Sequence, residues 1–374
     1  MALMYMLYLI INVGEKVSQD GNKSKATQTI RHVINLGTQT IEKYPTACDH
    51  EAVPVPLTVK PILRFEKCRK NKKFKFFTGL SVEDFEILFS LLGGDCVIRR
   101  LRQKFTLSDF TPKASKYSGR DRLFYFLLRL RRGLPLEDLA EIANISVPYL
   151  DDLLYIMTRH IYLVFKSMEN RMFPTAAEQA KNKPKPFRPF PNLRVILDSA
   201  QFFIQMPTNF EQQGNTYSSY KHHNTVIVVI GISCQGAVIH VSPVFEGNIS
   251  DKGIVRESGL LQRLSEGDAV MTDRGFDIEG ELLDIGVRLY KPPSLGDRNK
   301  LTAEEEILTK AIASARIYVE HIIADIKDNR LLQGVIPILL SPVIPDLIFI
   351  AGYLCNFKKS RISQIKNRTQ VENQ

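Results

Sequence analysis

Apolar residues recur at helical spacing once the chain leaves its polar N-terminal stretch. Phe85, Leu88, Phe89 and Leu92 follow Ser81, with Asp84 three residues after that serine, so a helix is expected to start there and to stop at Gly93 and Gly94. Leu123, Phe124, Leu127, Leu128 and Leu130 predict a second helix over Asp121 to Arg132, ended by Gly133 and Pro135. Leu136, Leu139 and Ile142 then mark a short helix, Asn144-Ile145-Ser146 a tight turn, and Val147 to Ile156 another helix. This is helix-turn-helix grammar. An ordinary helical hairpin follows the same pattern, and Asp151 and Asp152 stand where a major-groove reader offers Arg, Asn or Gln.

Prolines change the pattern next. The stretch from Phe173 to Pro191 ends in KPKPFRPFP, which forbids a continuous helix and marks a domain boundary. Beyond it the periodicity switches. Strands are expected at Leu193 to Asp198, Thr225 to Ser233 and Ala237 to Val244, the last two joined by a turn at Gln235-Gly236. A helix over Lys252 to Leu264, a strand running into Asp273, a short helix over Ile278 to Leu283 and a strand at Val287 to Tyr290 follow. A long helix from Ala303 through Leu332 comes last. Three meandering strands followed by alternating helices and strands form the pattern of a ribonuclease-H-like α/β sheet. The expected organisation is a mostly disordered basic arm over residues 1–73, a helical domain over 74–170, a Pro/Lys-rich linker over 171–191, an α/β domain over 192–358 and a basic tail over 359–374.

Composition narrows the class. With 374 residues and 44% hydrophobic content the chain can build large cores. Lys and Arg number 50 against 40 Asp and Glu, a formal charge of +10, which favours a polyanionic partner. The cations cluster at Arg64 to Lys75, at Arg99 to Lys104 and at Arg120 to Arg132, and such blocks often follow a phosphate backbone. Five scattered cysteines without a CxxC pair suggest neither a disulfide framework nor a zinc finger, and fit a reducing compartment. The opening MALMYMLYLIINV lacks a basic lead-in and is short for a bilayer span; a signal peptide, a mis-chosen start codon or a truncation each account for it.

Candidate chemistry lies in GDAVMTDRGFD, where a buried strand delivers Asp273 to a turn at Arg274-Gly275. Asp198 closes the apolar run Val195-Ile196-Leu197, and Glu320 lies inside the expected long helix. Alone, each acid has a plain reading as a turn or surface residue. Together, at strand ends and on a late helix of one sheet, they converge as a divalent-metal site. Arg316 and Lys327 share a helical face with Glu320, where they can pair with it or receive phosphates, and Lys221 and His222 precede the second strand. Asp251 reads as a helix cap rather than a ligand, with Ser250 the alternative, and the histidines have no zinc-like spacing.

The segments ILDSAQ, YSSYKHHNT, GNISDKGIVRESGLL, GDAVMTDRGF and IASARIYVEHIIADIK, in this order, resemble the catalytic domain of the Harbinger/IS5-like DDE transposases over about Leu193 to Phe357. The resemblance implies a retroviral-integrase-like fold, with a helical domain ahead of it, and the triad Asp198, Asp273 and Glu320 as catalytic metal ligands. It further implies two divalent ions, Mg²⁺ or Mn²⁺, roughly 4 Å apart, with Asp198 bridging both and Asp273 and Glu320 each binding one. Double-stranded DNA at transposon ends, a homo-oligomer, a separate DNA-binding partner protein, no membrane and a nuclear site of action belong to the same expectation. Lys221, His222, Arg274, Arg316 and Lys327 are the expected nucleic-acid contacts.

The sequence departs from the family at Gln201, where relatives carry an acid, and at Tyr318 and His321, which flank Glu320 in place of His and Arg. No THAP zinc finger of the kind some animal members carry is visible. A catalytically silent DNA-binding or scaffold protein retaining the fold is the alternative function, and only the resemblance favours DNA over RNA.

Overall fold

The computed structural model describes residues 63–101, 117–181 and 183–358, so the expected N-terminal arm up to residue 62 and the basic tail lie outside the described residues. Packed structure is already present ahead of Phe74, in α1 (Phe65–Cys68), where Phe65 is buried and stacks on Phe85 at 4.8 Å. Then come α2 (Phe74–Thr78), α3 (Val82–Leu91), α4 (Gly94–Ile98), α5 (Gly119–Arg132), α6 (Leu136–Ala143), α7 (Val147–Met168) and α8 (Ala176–Ala180). Ser81 Oγ accepts the Asp84 N–H at 3.1 Å and Ser118 Oγ accepts the Asp121 N–H at 3.0 Å, so both helices begin at side-chain caps. The α5 helix is buried from Leu123 to Leu128, which makes it the axis of the helical layer.

Two expectations change here. The helix from Val147 does not end near Ile156, because Met157, Ile161 and Phe165 carry its buried stripe on to Met168. Nor does the third basic block present itself wholly to solvent. Arg122 is buried and donates to Ile98 O and Leu101 O, Arg120 pairs with Glu86 at 2.8 Å, and Arg131 bonds Asp328 at 2.5 Å. These cations hold helices together.

The segment between the layers keeps the break that its prolines impose, yet it is packed. Phe187 lies against Tyr318 at 5.6 Å and Phe190 against Tyr290 at 5.1 Å, both phenylalanines fully buried. The aromatic residues between the prolines anchor it to the sheet.

Next in the chain are β1 (Leu193–Ile204), α9 (Phe210–Thr216), β2 (Tyr217–Ser218), β3 (His223–Ile232), β4 (Val238–Val241), β5 (Phe245–Glu246), α10 (Asp251–Glu257) and β6 (Ala269–Met271). After them come α11 (Glu279–Leu283), β7 (Arg288–Tyr290), α12 (Ala303–Lys327), β8 (Val335–Ile336) and α13 (Ile344–Leu354). β1 is antiparallel to β3 and β3 to β4, whereas β6 runs parallel to β1 and β7 parallel to β6. The sheet is thus mixed, an antiparallel meander extended by parallel strands.

Alternation along β1 divides two cores. Val195 and Leu197 join Val229, Val270, Ile254 and Leu282 on one face. Ile196, Ala200 and Phe202 face the opposite way, toward α12 and α13. Asp198 has the same parity as this second set. On that side α7 closes against α13 through Tyr162–Phe349 at 5.0 Å and Phe165–Tyr353 at 6.1 Å, so the helical layer and the sheet share one core. No helix among the described residues is long and apolar enough to cross a membrane.

Candidate active site

Register brings the first two acids together. Ile196 pairs with Met271 in the parallel β1–β6 ladder, and Asp198 and Asp273 each lie two residues further on. They stand side by side, Asp198 midway along β1 and Asp273 just past the end of β6, and face α12. That helix starts at a capping box, Thr302 with Glu305, and carries Ala315 and Val319 into the core, which leaves Arg316 and Glu320 on the flank toward the acids.

Arg316 ties the three acids into one cluster. Its Nη1 donates to Asp273 Oδ1 at 2.9 Å, and its Nη2 lies 3.6 Å from Asp198 Oδ2 and 3.8 Å from Glu320 Oε1. The Arg316 side chain is 10% exposed, against 55% for Asp273 and 54% for Glu320. Each aspartate is also held by backbone: Ser199 N–H donates to Asp198 Oδ1 at 2.9 Å and Arg274 N–H to Asp273 Oδ1 at 2.7 Å. Burial raises the Asp198 carboxyl above its ordinary value, against the pull of Arg316 and the Ser199 N–H, and neighbouring Glu320 and Asp273 raise it further.

Among the described residues no three metal-ligating side chains form a ready-made cage. The acids surround a guanidinium instead. That cation makes the test of fit: three carboxylates offer hard oxygen donors, the set suited to Mg²⁺ or Mn²⁺, and they already converge on a positive charge. The donor set fits a hard divalent ion.

A cleft of 780 Å³ opens at Asp198 and Asp273, with Lys221 and Lys327 in its wall. Lys327 sits over the Phe202 ring at 5.5 Å; burial lowers its ammonium below the ordinary lysine value, Lys221 adds to that and Asp198 opposes it. Of the expected nucleic-acid contacts, Lys221 and Lys327 therefore reach the cleft, Arg316 is committed to the acids, and His222 and Arg274 are exposed but do not line it. His222 has a φ of 52°, in the left-handed region, at the turn into β3.

Other lining residues carried no strong signal in the sequence. Ser250 Oγ accepts the Gly253 N–H at 3.2 Å, so Ser250 is the cap of α10, and Asp251 stands in the cleft with its carboxyl raised by burial. Gln201 lines the cleft too, its Oε1 buried and without a hydrogen-bond partner. Tyr318 faces Phe187 in the core, which explains how that departure leaves the acid cluster intact.

Fold and site together define a class, a mixed α/β domain with carboxylates gathered on neighbouring strands, Asp198 within β1 and Asp273 just past β6. Residues 197–356 match the family described as DDE superfamily endonuclease, so the α/β part of the chain is similar to that family. No curated protein and no solved structure matches the chain. The family implies nuclease chemistry on nucleic acid.

Proposed function

We propose that this protein is a divalent-metal-dependent DNA endonuclease of the Harbinger/IS5-like branch, with a ribonuclease-H-like catalytic domain. The observation that carries the reading is the in-register placement of Asp198 and Asp273 with Glu320 opposite, all three sharing the Arg316 guanidinium. Asp198, as the common ligand, and Asp273 and Glu320, one to each ion, would hold two Mg²⁺ or Mn²⁺ ions. Bound there, such ions supply an activated attacking oxygen and neutralise the leaving oxygen of a phosphodiester.

The chain's own residues do the rest. Ser199 N–H and Arg274 N–H fix the carboxylates of Asp198 and Asp273, so that little ordering remains when substrate arrives. Lys221 and Lys327 receive backbone phosphates along the cleft, and exposed His222 and Arg274 extend that contact outward. Strand joining at transposon ends, action as at least a dimer, a separate DNA-binding partner and a nuclear site of action complete the reading.

The helix-turn-helix pair carries less of the binding. The exposed start of α7 presents Tyr149, Asp151, Asp152 and Tyr155, a surface that repels phosphate. A second reading, a silent DNA-binding or scaffold protein, draws support from the pairing of the acids with Arg316. Matched DNA and RNA duplexes incubated with the protein and Mg²⁺ test the substrate. Cleavage confined to DNA is expected; cleavage of RNA alone, or binding of both without cleavage, contradicts the proposal.

A further inference from the structure

We propose that Arg316 is a built-in competitor for metal at the three acids, released from them when a DNA phosphate offers its guanidinium another partner. This rests on the metal-site reading above. The oxygens that a divalent ion would need, Asp198 Oδ2, Asp273 Oδ1 and Glu320 Oε1, are the ones nearest the guanidinium, at 3.6, 2.9 and 3.8 Å. A guanidinium stays charged at every accessible pH, so it cannot yield by losing a proton. Two like charges on one set of oxygens repel, and metal entry requires Arg316 to move.

Its present contacts leave part of the guanidinium unmet. The Arg316 Nε is buried and has no acceptor, so the group is not fully satisfied by the acids. Two oxygens of a tetrahedral phosphate can accept from the planar guanidinium fork, as a carboxylate does. The cleft beside Asp198 and Asp273 is lined by Lys221 and Lys327, the cations that would bring a phosphate there. Metal and DNA then bind with positive coupling, because each removes an obstacle to the other. Arg316 acts through the acids and is a positioning residue.

The test is Mn²⁺ binding, read from the paramagnetic signal of free Mn²⁺, for the full chain, Arg316→Gln, Arg316→Lys and an Asp198→Asn control, each checked for native circular dichroism. Without DNA, Arg316→Gln is expected to bind Mn²⁺ about tenfold or more tightly than the parent, and Arg316→Lys to fall between them, since one ammonium cannot span three carboxylates. A short DNA duplex should tighten Mn²⁺ binding more in the parent than in Arg316→Gln. A merely structural arginine would leave affinity unchanged or weaken it on removal, and that result in a folded variant overturns the proposal. Equal tightening by DNA in both also overturns it. If Arg316→Gln does not fold, unchanged affinity in Arg316→Lys decides against it. Should neither the parent with DNA nor Arg316→Gln bind more Mn²⁺ than Asp198→Asn, the metal-site reading itself fails and takes this proposal with it.

Discussion

His240 is a titratable side chain sealed from water. It lies in β4 opposite Gly231, is fully buried, and neither ring nitrogen has a hydrogen-bond partner. Burial first, then Arg263 and Lys166, push its pKa down to about 3 from the ordinary 6.5. Glu169 accepts from both of those cations, at 3.0 and 2.5 Å, and so compensates them rather than the imidazole. Because the folded value lies below the unfolded one, the unfolded chain takes up a proton first. Stability from this group is complete above pH 6.5 and falls as pH drops toward about 3, at roughly 1 kcal/mol per pH unit. Urea denaturation at pH 7 and pH 5 should therefore show a larger loss for the parent than for His240→Asn; equal losses would refute this role. Gly133 makes a second test at the same scale. Its φ is 61°, and a Cβ there would stand 2.9 Å from the Arg330 carbonyl carbon, so Gly133→Ala should cost about 1–3 kcal/mol in the same assay. The sequence marks Gly133 as a helix stop, but its closeness to Arg330 is a long-range contact that no local pattern encodes.

Among elements, the β1–β6 ladder sets the acid geometry, and its near end is pinned by a buried ion pair. Arg194 Nε lies 3.0 Å from Asp268 Oδ2, both side chains under 10% exposed, and Asp268 also accepts the Ser265 N–H at 2.9 Å. Asp268→Ala leaves the guanidinium buried without its counter-charge, so a loss of about 3–5 kcal/mol is expected in equilibrium unfolding. A loss under about 1 kcal/mol would mean that water replaces the pair. Elements with a periodic face or a short apolar run that ends in polar residues were legible: α3, α5, the start of β1, β6 and α12 lie close to where their periodicity, caps and run lengths predict. The α13 helix was not, because IPDLIFIAGYL is buried on every side and shows no polar face to reveal a period. β1 runs on to Ile204, since Ser199 and Gln201 are polar residues in a cleft wall rather than a strand end. The α10 helix stops short of Leu264 because Gly259 takes a φ of 76°, and α12 yields to a 3₁₀ turn at Arg330–Leu332. The expected strand from Ala237 to Val244 is observed as β4, which stops at Val241 ahead of Pro243, a residue that cannot donate to a ladder; pairing with β3 resumes at β5, beyond the expected range.

At the scale of the molecule, charge is divided by task. The formal excess of +10 suggested a polyanionic partner, yet part of the third basic block is spent on helix packing, and this could not be read from composition. Lys221 and Lys327, far apart in sequence, meet at the cleft because β3 and α12 flank the same end of β1. Replacing either with Ala should weaken DNA binding similarly for all sequences and reduce the slope of log affinity against log salt by about 1; an unchanged slope would remove that lysine from the phosphate path. That three acids stand at strand and helix positions was legible, while the guanidinium among them emerged only from packing.

The most direct measurement is Mg²⁺-dependent nicking of supercoiled plasmid DNA by the parent beside folded Asp198→Ala and Glu320→Ala. Nicking by the parent is expected to require the metal and to fall more than about 100-fold in both variants, beyond the 10–100-fold typical of changes outside the ligands themselves. Equal nicking by parent and variants, or a parent that binds DNA without ever cutting it, would contradict the proposed function.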